Sequence, residues 1–213
     1  MTHTLSKSST EWVAGFDYPP EHWIQLDMKS PDVAEQAAQA IADRGGEIDQ
    51  EYAEGAYPEL KAIRDGALER EASPVVVFVP PEAPDLRPLV QITAFVAPVP
   101  APSGHRTVEA MAELARQPQP YRFRQPGISV IDLPAGPTCR VHELVHNEPG
   151  DDGRNMLTEY ISYYVLPPGY DKGFVEFTVT WFTPAIGSAM VETADEMAAT
   201  LTITPNESPG GES

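Results

Sequence analysis

The stretch that decides the fold of this chain is residues 138–146, TCRVHELVH. Its last five residues, His142-Glu143-Leu144-Val145-His146, spell the HExxH motif of zinc hydrolases. On a helix, the two imidazoles lie one turn apart and can share a zinc ion, with the glutamate as general base. On a strand, each residue advances about 3.3 Å, so the two rings stand about 13 Å apart and cannot share one metal ion. Whether this stretch is a helix or a strand therefore decides between a zinc hydrolase and a non-enzymatic scaffold.

The periodicity of the stretch fits both structures. A helix would place Val141, Leu144, Val145 and Glu148 on one face. A strand would place Cys139, Val141 and Val145 on one face together with Glu143. The context favours the strand, because strand-like runs precede and follow it and residues 147–153, NEPGDDG, are typical of a hairpin connection.

The longer zinc motif HExxHxxGxxH is also broken. Pro149 stands at its glycine position and Asp152 at its third histidine position. We therefore predict a strand that carries no metal ligand, no cofactor and no catalytic residue. The alternative is a zinc metallohydrolase with His142 and His146 as ligands and Glu143 as general base.

The segments around this stretch predict a C-terminal antiparallel meander. Strand-like runs cover residues 128–133, 157–166 and 174–182, and turn-rich loops separate them. The last run places Val175, Phe177, Val179 and Trp181 on one face and Glu176, Thr178 and Thr180 on the other. A helix over about 185–200 follows.

The N-terminal half combines strands with a helical stretch at 31–71. Short strands are predicted at 12–16 and 23–28, and Ser30 with Pro31 opens the first helix as cap and first helical residue. The second helix is expected to be interrupted near residues 55–58, GAYP. Buried strands at 75–79 and 89–96 and a helix capped by Thr107 complete the half.

The fold class that follows is α+β, a mostly antiparallel sheet packed against helices in an α/β sandwich. We predict a flexible N-terminus over 1–10, one domain over 11–204 and a disordered tail over 205–213.

The charge of the chain restricts its partners. The 213 residues carry a formal net charge of −18 at pH 7. Nucleic-acid binding needs clustered Lys and Arg, and anionic membranes repel such a charge. A basic protein partner fits, but a solvated acidic surface is the favoured explanation of the charge. With no apolar run of about 20 residues and no apolar signal region, we expect no membrane insertion and a cytoplasmic location.

Two further features bear on partner binding. Residues 121–124, YRFR, form a basic and aromatic patch, and Arg122, Phe123 and Arg124 are the candidate partner-binding residues. The alternative is an edge strand protected by outward arginines. The aromatic rows over 160–164 and 175–181 line either a pocket or a filled core, and we expect the filled core.

A family resemblance rests on the final third of the chain. It is carried by residues 127–137, GISVIDLPAGP, by the paired strands through Tyr164 and Trp181, and by Phe182-Thr183-Pro184 before the closing helix. This order of elements over 127–204 resembles the PsbP/DcrB-like α/β sandwich, which a small Ran-binding nuclear import factor and some bacterial secretion-effector chaperones share. The ten arginines and four lysines also look like those of an actinobacterial protein. The resemblance implies a non-enzymatic scaffold that holds partners, and it transfers no site residue.

The sequence thus favours a non-enzymatic protein-binding module, chaperone-like or adaptor-like, with a protein partner. It does not indicate an oligomeric state. The first alternative is the zinc metallohydrolase described above. The second is a structural subunit of a larger assembly, in which the Pro-rich loops and the tail make the contacts.

Overall fold

The computed structural model describes residues 12–46, 49–81, 88–102, 105–146 and 157–206. The predicted flexible N-terminus at 1–10, residues 82–87, the predicted hairpin connection at 147–153 and the tail residues 207–213 lie outside these ranges. Within them the chain forms nine strands and four α-helices. In chain order these are β1 (Trp12–Gly15), β2 (Trp23–Leu26), α1 (Val33–Ala42), α2 (Asp49–Glu69), β3 (Val75–Phe78), β4 (Ile92–Val99), α3 (Val108–Arg116), β5 (Gly127–Leu133), β6 (Gly136–His146), β7 (Leu157–Val165), β8 (Phe174–Trp181), α4 (Gly187–Ala199) and β9 (Thr202–Pro205).

Seven of the strands form one antiparallel sheet in the order β2-β3-β4-β8-β7-β6-β5. The predicted meander is its β5-to-β8 part, and the predicted α+β class is confirmed. The remaining strands, β1 and β9, pair with each other in an antiparallel ribbon. β9 ends at Pro205, the first residue of the segment predicted as a tail.

The decisive stretch is strand, as the sequence predicts. β6 runs over eleven residues and pairs with β5 on one side and β7 on the other, with His142 opposite Gly127 and Ile161. A hydrogen-bonded neighbour on each side fixes the extended backbone, and the alternating side chains of the strand are buried on both faces of the sheet.

One face of the sheet, which we call the core face, is covered over its central strands. Ile161 and Tyr163 of β7 and Phe177, Val179 and Trp181 of β8 have no exposed surface. They pack with Met190, Ala194, Met197 and Ala198 of α4, and side chains of β1 and β9 pack against the same cluster. Because side chains alternate along a strand, the next residues of β7 and β8 must face the other way.

The opposite face, which we call the cleft face, is covered in two separate parts. Helices α1 and α2 pack over β2, β3 and β4 through a cluster that includes Ile41, Leu60 and Val77. Helix α3 packs over β5 and β6 through Met111, Ala112 and Val141. The Thr107 hydroxyl accepts from the Ala110 amide and caps α3, as predicted.

The helices differ from the sequence prediction at two places. α2 continues through the predicted interruption, with Pro58 inside it. The loss of one backbone donor is offset by packing, because Tyr52, Ala56 and Leu60 bury one continuous helix face in the α1–α2 cluster. α1 begins at Val33, later than predicted.

Candidate functional site

A cleft opens where neither helical cover reaches the sheet. Its cavity has a volume of about 750 Å³ and lies over the middle of β4, β8 and β7. The end of α2 and the two residues after it form one wall, through Glu69, Arg70 and Glu71. The strands contribute the remaining lining residues, which are Phe95, Ala97, Pro98, Val99, Val145, Thr158, Tyr160, Ser162, Tyr164, Glu176, Thr178 and Thr180.

The floor of the cleft is a hydrogen-bonded set of polar side chains. Antiparallel pairing places Ser162 opposite Thr178 and Tyr164 opposite Glu176, so all four side chains share the cleft face. The Ser162 and Thr178 hydroxyls each lie 3.0 Å from Glu176 Oε1 and 2.7 Å from each other. Two hydroxyl protons are thus shared among three short contacts, which fixes the positions of all three side chains.

Two tyrosines on the floor are held in the neutral form. Burial raises the pKa of Tyr160, and a hydrogen bond to the Glu143 carboxylate raises it further. Burial also raises the pKa of Tyr164, and the negative charge of Glu176 adds to this effect. Both phenols therefore stay protonated at neutral pH and serve as hydrogen-bond donors and aromatic surfaces.

The wall formed by α2 separates the cleft from a smaller cavity. The guanidinium of Arg70 lies over the ring of Phe95, 5.4 Å from its centroid. Beyond this pair is a pocket of about 250 Å³, which shares Arg70, Phe95 and Thr180 with the cleft. The rest of its lining is mostly apolar: Ala62, Ile63, Gly66, Ala67, Ala72, Val75 and Thr93.

Glu143, the alternative catalytic base, is held in an ion pair on the cleft face. Arg122 Nε donates to Glu143 Oε1, and the two side chains are only 9% and 7% exposed. The same guanidinium donates to the backbone oxygen of Gln117 at 2.6 Å. Arg122 therefore neutralises a buried carboxylate and leaves little of its charge for a partner.

His142, one of the two alternative zinc ligands, lies on the core face. Its Nε2 is 2.7 Å from Glu159 Oε1, and Arg124 Nη2 is 3.3 Å from the same oxygen. The Trp181 indole donates to Glu159 Oε2 at 3.1 Å. Gly187, at the start of α4, is so close that a Cβ there would lie 2.7 Å from the same Oε2. The helix N-terminus and three donors thus stabilise the charge of Glu159.

His146, the second alternative ligand, is exposed and lies edge-on to Phe123 at 5.1 Å between ring centroids. The geometry that the zinc alternative needs, two imidazoles on successive helical turns, is absent because both histidines belong to β6. Across the described ranges, no group of three or more His, Cys, Asp or Glu side chains is placed to hold a metal ion.

The candidate partner-binding residues lie beside the end of β6. A backbone bridge joins Arg122 to Val145, so the segment lies beside the end of β6 without forming the strand that the edge-strand alternative predicts. The arginines turn to opposite faces, Arg122 to Glu143 and Arg124 to Glu159, instead of outward together. Phe123 remains 55% exposed. A partner contact there stays a prediction, with Phe123 as its most accessible member.

The floor residues Tyr160, Ser162, Tyr164, Glu176 and Thr178 were not among the predicted site residues. One signal for them existed in the sequence, since β8 alternates apolar residues with Glu176, Thr178 and Thr180 although it lies in the middle of the sheet. A polar row on a central strand indicates a face that is not closed by a helix. The expected filled core is present on the core face, and the pocket is present on the other.

Comparisons with known proteins place few limits on this chain. No protein-family model matches it, and no curated protein sequence matches it significantly. Among solved structures, a similar chain is LpqN, described as involved in cell envelope biogenesis of Mycobacterium tuberculosis. The two chains share 9% identity, the TM-score is 0.47, and the alignment covers 93% of this chain and 87% of LpqN. None of the described helices has the length and apolar character needed to cross a bilayer.

Proposed function

We propose that the protein is a non-enzymatic binding module, chaperone-like or adaptor-like, whose cleft receives a segment of a partner protein. The observation that carries this proposal is the cavity of about 750 Å³ over the central strands, with a floor of immobilised hydroxyl and phenol groups. A volume of this size is typical of sites that enclose several side chains or one ligand molecule.

The chemistry of the floor supports binding. The hydroxyls of Ser162 and Thr178 contact each other and Glu176, and the raised pKa values of Tyr160 and Tyr164 keep both phenols protonated. Groups in these states are weak nucleophiles and good hydrogen-bond partners. Because the floor is built on central strands, its geometry is set before a partner arrives, which lowers the entropy cost of binding.

We also propose that the protein has the PsbP/DcrB-like sandwich fold, and the order of its elements supports this. The β5-to-β8 meander followed by α4 is the order on which the resemblance to the PsbP/DcrB-like sandwich rests. A cytoplasmic location and a protein partner are further parts of this proposal.

Site-directed photocrosslinking tests the proposed function. p-Benzoylphenylalanine is placed at Thr180, which lines the cleft, or at Glu192, an exposed position on α4. Both forms are expressed and irradiated in the native cells. We expect one abundant, defined protein adduct from position 180 and none from position 192. No adduct from position 180, or the same adducts from both positions, would contradict the proposal.

A further inference from the structure

Three carboxylates lie on the neighbouring strands β6, β7 and β8, and they differ in the groups that contact them. Glu143 on β6 meets Arg122, and Glu159 on β7 meets Arg124 and His142. Glu176 on β8 meets the hydroxyls of Ser162 and Thr178. In the described part of the chain, no Arg, Lys or His nitrogen lies within 4 Å of the Glu176 carboxylate.

The position of Glu176 makes this difference consequential. Glu143 and Glu159 are closed off from solvent, whereas Glu176 is half-buried and lines the cleft. Its charge therefore points into a space that a ligand can enter. A carboxylate in such partly desolvated surroundings gains more from an arriving cation than one on an open surface does.

The other charged residues of the cleft also favour a positively charged ligand. Glu69 and Glu71 line the rim together with Glu176, and Arg70 is the cation among the lining residues described. Arg70 lies over Phe95, against the α2 wall. Three acids against one base, within a chain of net charge −18, give the cleft a negative potential that attracts cations.

The aromatic residues point to a planar cation. Tyr164 is the cross-strand neighbour of Glu176, and Tyr160 lies on the same strand and the same face as Tyr164. A guanidinium can stack on a phenol ring while it donates hydrogen bonds to a carboxylate and to hydroxyl oxygens. An ammonium group lacks the plane that such stacking needs.

We propose that the cleft recognises an arginine side chain of the partner, with its guanidinium paired to Glu176 and stacked against Tyr164. This inference rests on the proposed function, since it names the group that the cleft selects. Glu176 is the specificity-determining residue, and the Ser162 and Thr178 hydroxyls hold its carboxylate in place.

The test uses matched peptide probes and the full chain labelled with ¹⁵N. Acetyl-Gly-Arg-Gly-amide is titrated against acetyl-Gly-citrulline-Gly-amide, in which a neutral urea replaces the guanidinium at the same size. The variant is Glu176→Gln, whose side-chain oxygen can still accept from both hydroxyls. The matched control is Asp132→Asn, an exposed position on β5 with the same change of charge.

We expect the arginine peptide to shift the amide resonances of β7 and β8 in a saturable way. The citrulline peptide should bind with an affinity lower by about tenfold or more. Glu176→Gln should lower the affinity for the arginine peptide by about tenfold, and Asp132→Asn should lower it by less than about twofold. If Glu176→Gln fails to fold, the arginine and citrulline comparison on the unaltered chain still decides.

Equal binding of both peptides, or no shift in the cleft, overturns the arginine inference. If the cleft still forms its adduct at position 180, the proposed function survives that result. If neither peptide nor protein enters the cleft, both proposals fail together.

Discussion

The two faces of the seven-stranded sheet are built from the same strands and differ in how they are closed. On the core face, α4 and the β1–β9 ribbon cover a continuous apolar cluster that includes Phe177, Val179 and Trp181. On the cleft face, α1–α2 and α3 cover the two ends and leave the middle open. β8 shows both environments one residue apart. Both faces of a sheet can thus contribute to stability, while a gap between the covers of one face leaves room for a binding surface.

The largest effect is expected on the core face. Trp181→Ala removes a fully buried ring and the indole donor to Glu159 and should lower the free energy of unfolding by about 3–5 kcal/mol. Urea denaturation followed by circular dichroism measures it. Trp181→Phe keeps most of the packing and should cost clearly less. Equal costs for both variants would mean that the ring contributes little to the core.

The ion pair on the cleft face should be the next most costly to break. Arg122→Ala leaves the Glu143 carboxylate buried without its cation and should cost about 3 kcal/mol. Arg124→Ala is the control on the core face, because its side chain is 56% exposed and Glu159 keeps His142 and Trp181. We expect a cost below about 1 kcal/mol there. The reverse order in denaturant titrations would contradict the view that Arg122 is structural.

Alkaline pH tests groups on both faces together. Burial raises the pKa of the Cys139 thiol to about 11, and burial is also the first cause of the raised pKa of Tyr163, whose hydroxyl donates to Asp195 at 2.6 Å. These groups bind their protons more tightly in the folded state, so their stabilisation is complete below the unfolded pKa and is lost as pH rises.

The free energy of unfolding should therefore be flat from pH 7 to about 8.5 and fall by pH 11, with about 2 kcal/mol lost through the thiol alone. Urea titrations across this range measure the slope. Cys139→Ala should reduce the loss between pH 9 and 10.5. An unchanged slope in that variant would show that the thiol does not contribute.

The smallest effect is expected at the floor of the cleft. Thr180→Ala and Val179→Ala alter adjacent residues of β8 that face opposite ways, and Val179 has no exposed surface while Thr180 is half-buried. We expect the threonine variant to cost less than about 0.5 kcal/mol and the valine variant about 2 kcal/mol. Equal losses in thermal or urea unfolding would mean that the open middle of the cleft face contributes to stability as much as the core face.

Periodicity was enough to predict the strands that carry the comparison. The alternation over β8 separates Val175, Phe177 and Val179 from Glu176 and Thr178, and the structure has the same division. β6 could be predicted as strand because its neighbours along the chain alternate as well. In both cases the signal lies within one element, where local spacing alone sets which face a side chain takes.

The cleft could not be predicted in this way, because it exists where two helical layers stop. Its presence depends on where α2 ends at Glu69 and on how far α3 reaches, and neither is encoded in the period of a strand. Arg122 and Arg124 show a related limit. Residues two apart in a regular strand share a face, yet these two reach carboxylates on opposite faces because the segment is irregular between them.

The placement of Cys139 has a practical consequence for studying this protein. The side chain is completely buried beneath α3, and burial keeps the thiol protonated at neutral pH, so it reacts slowly with maleimide or nitroxide reagents. A cysteine introduced at an exposed rim position, such as Glu69, would therefore take a fluorophore or spin label selectively in the otherwise natural sequence. Labelling studies of the cleft can begin without first removing the native thiol.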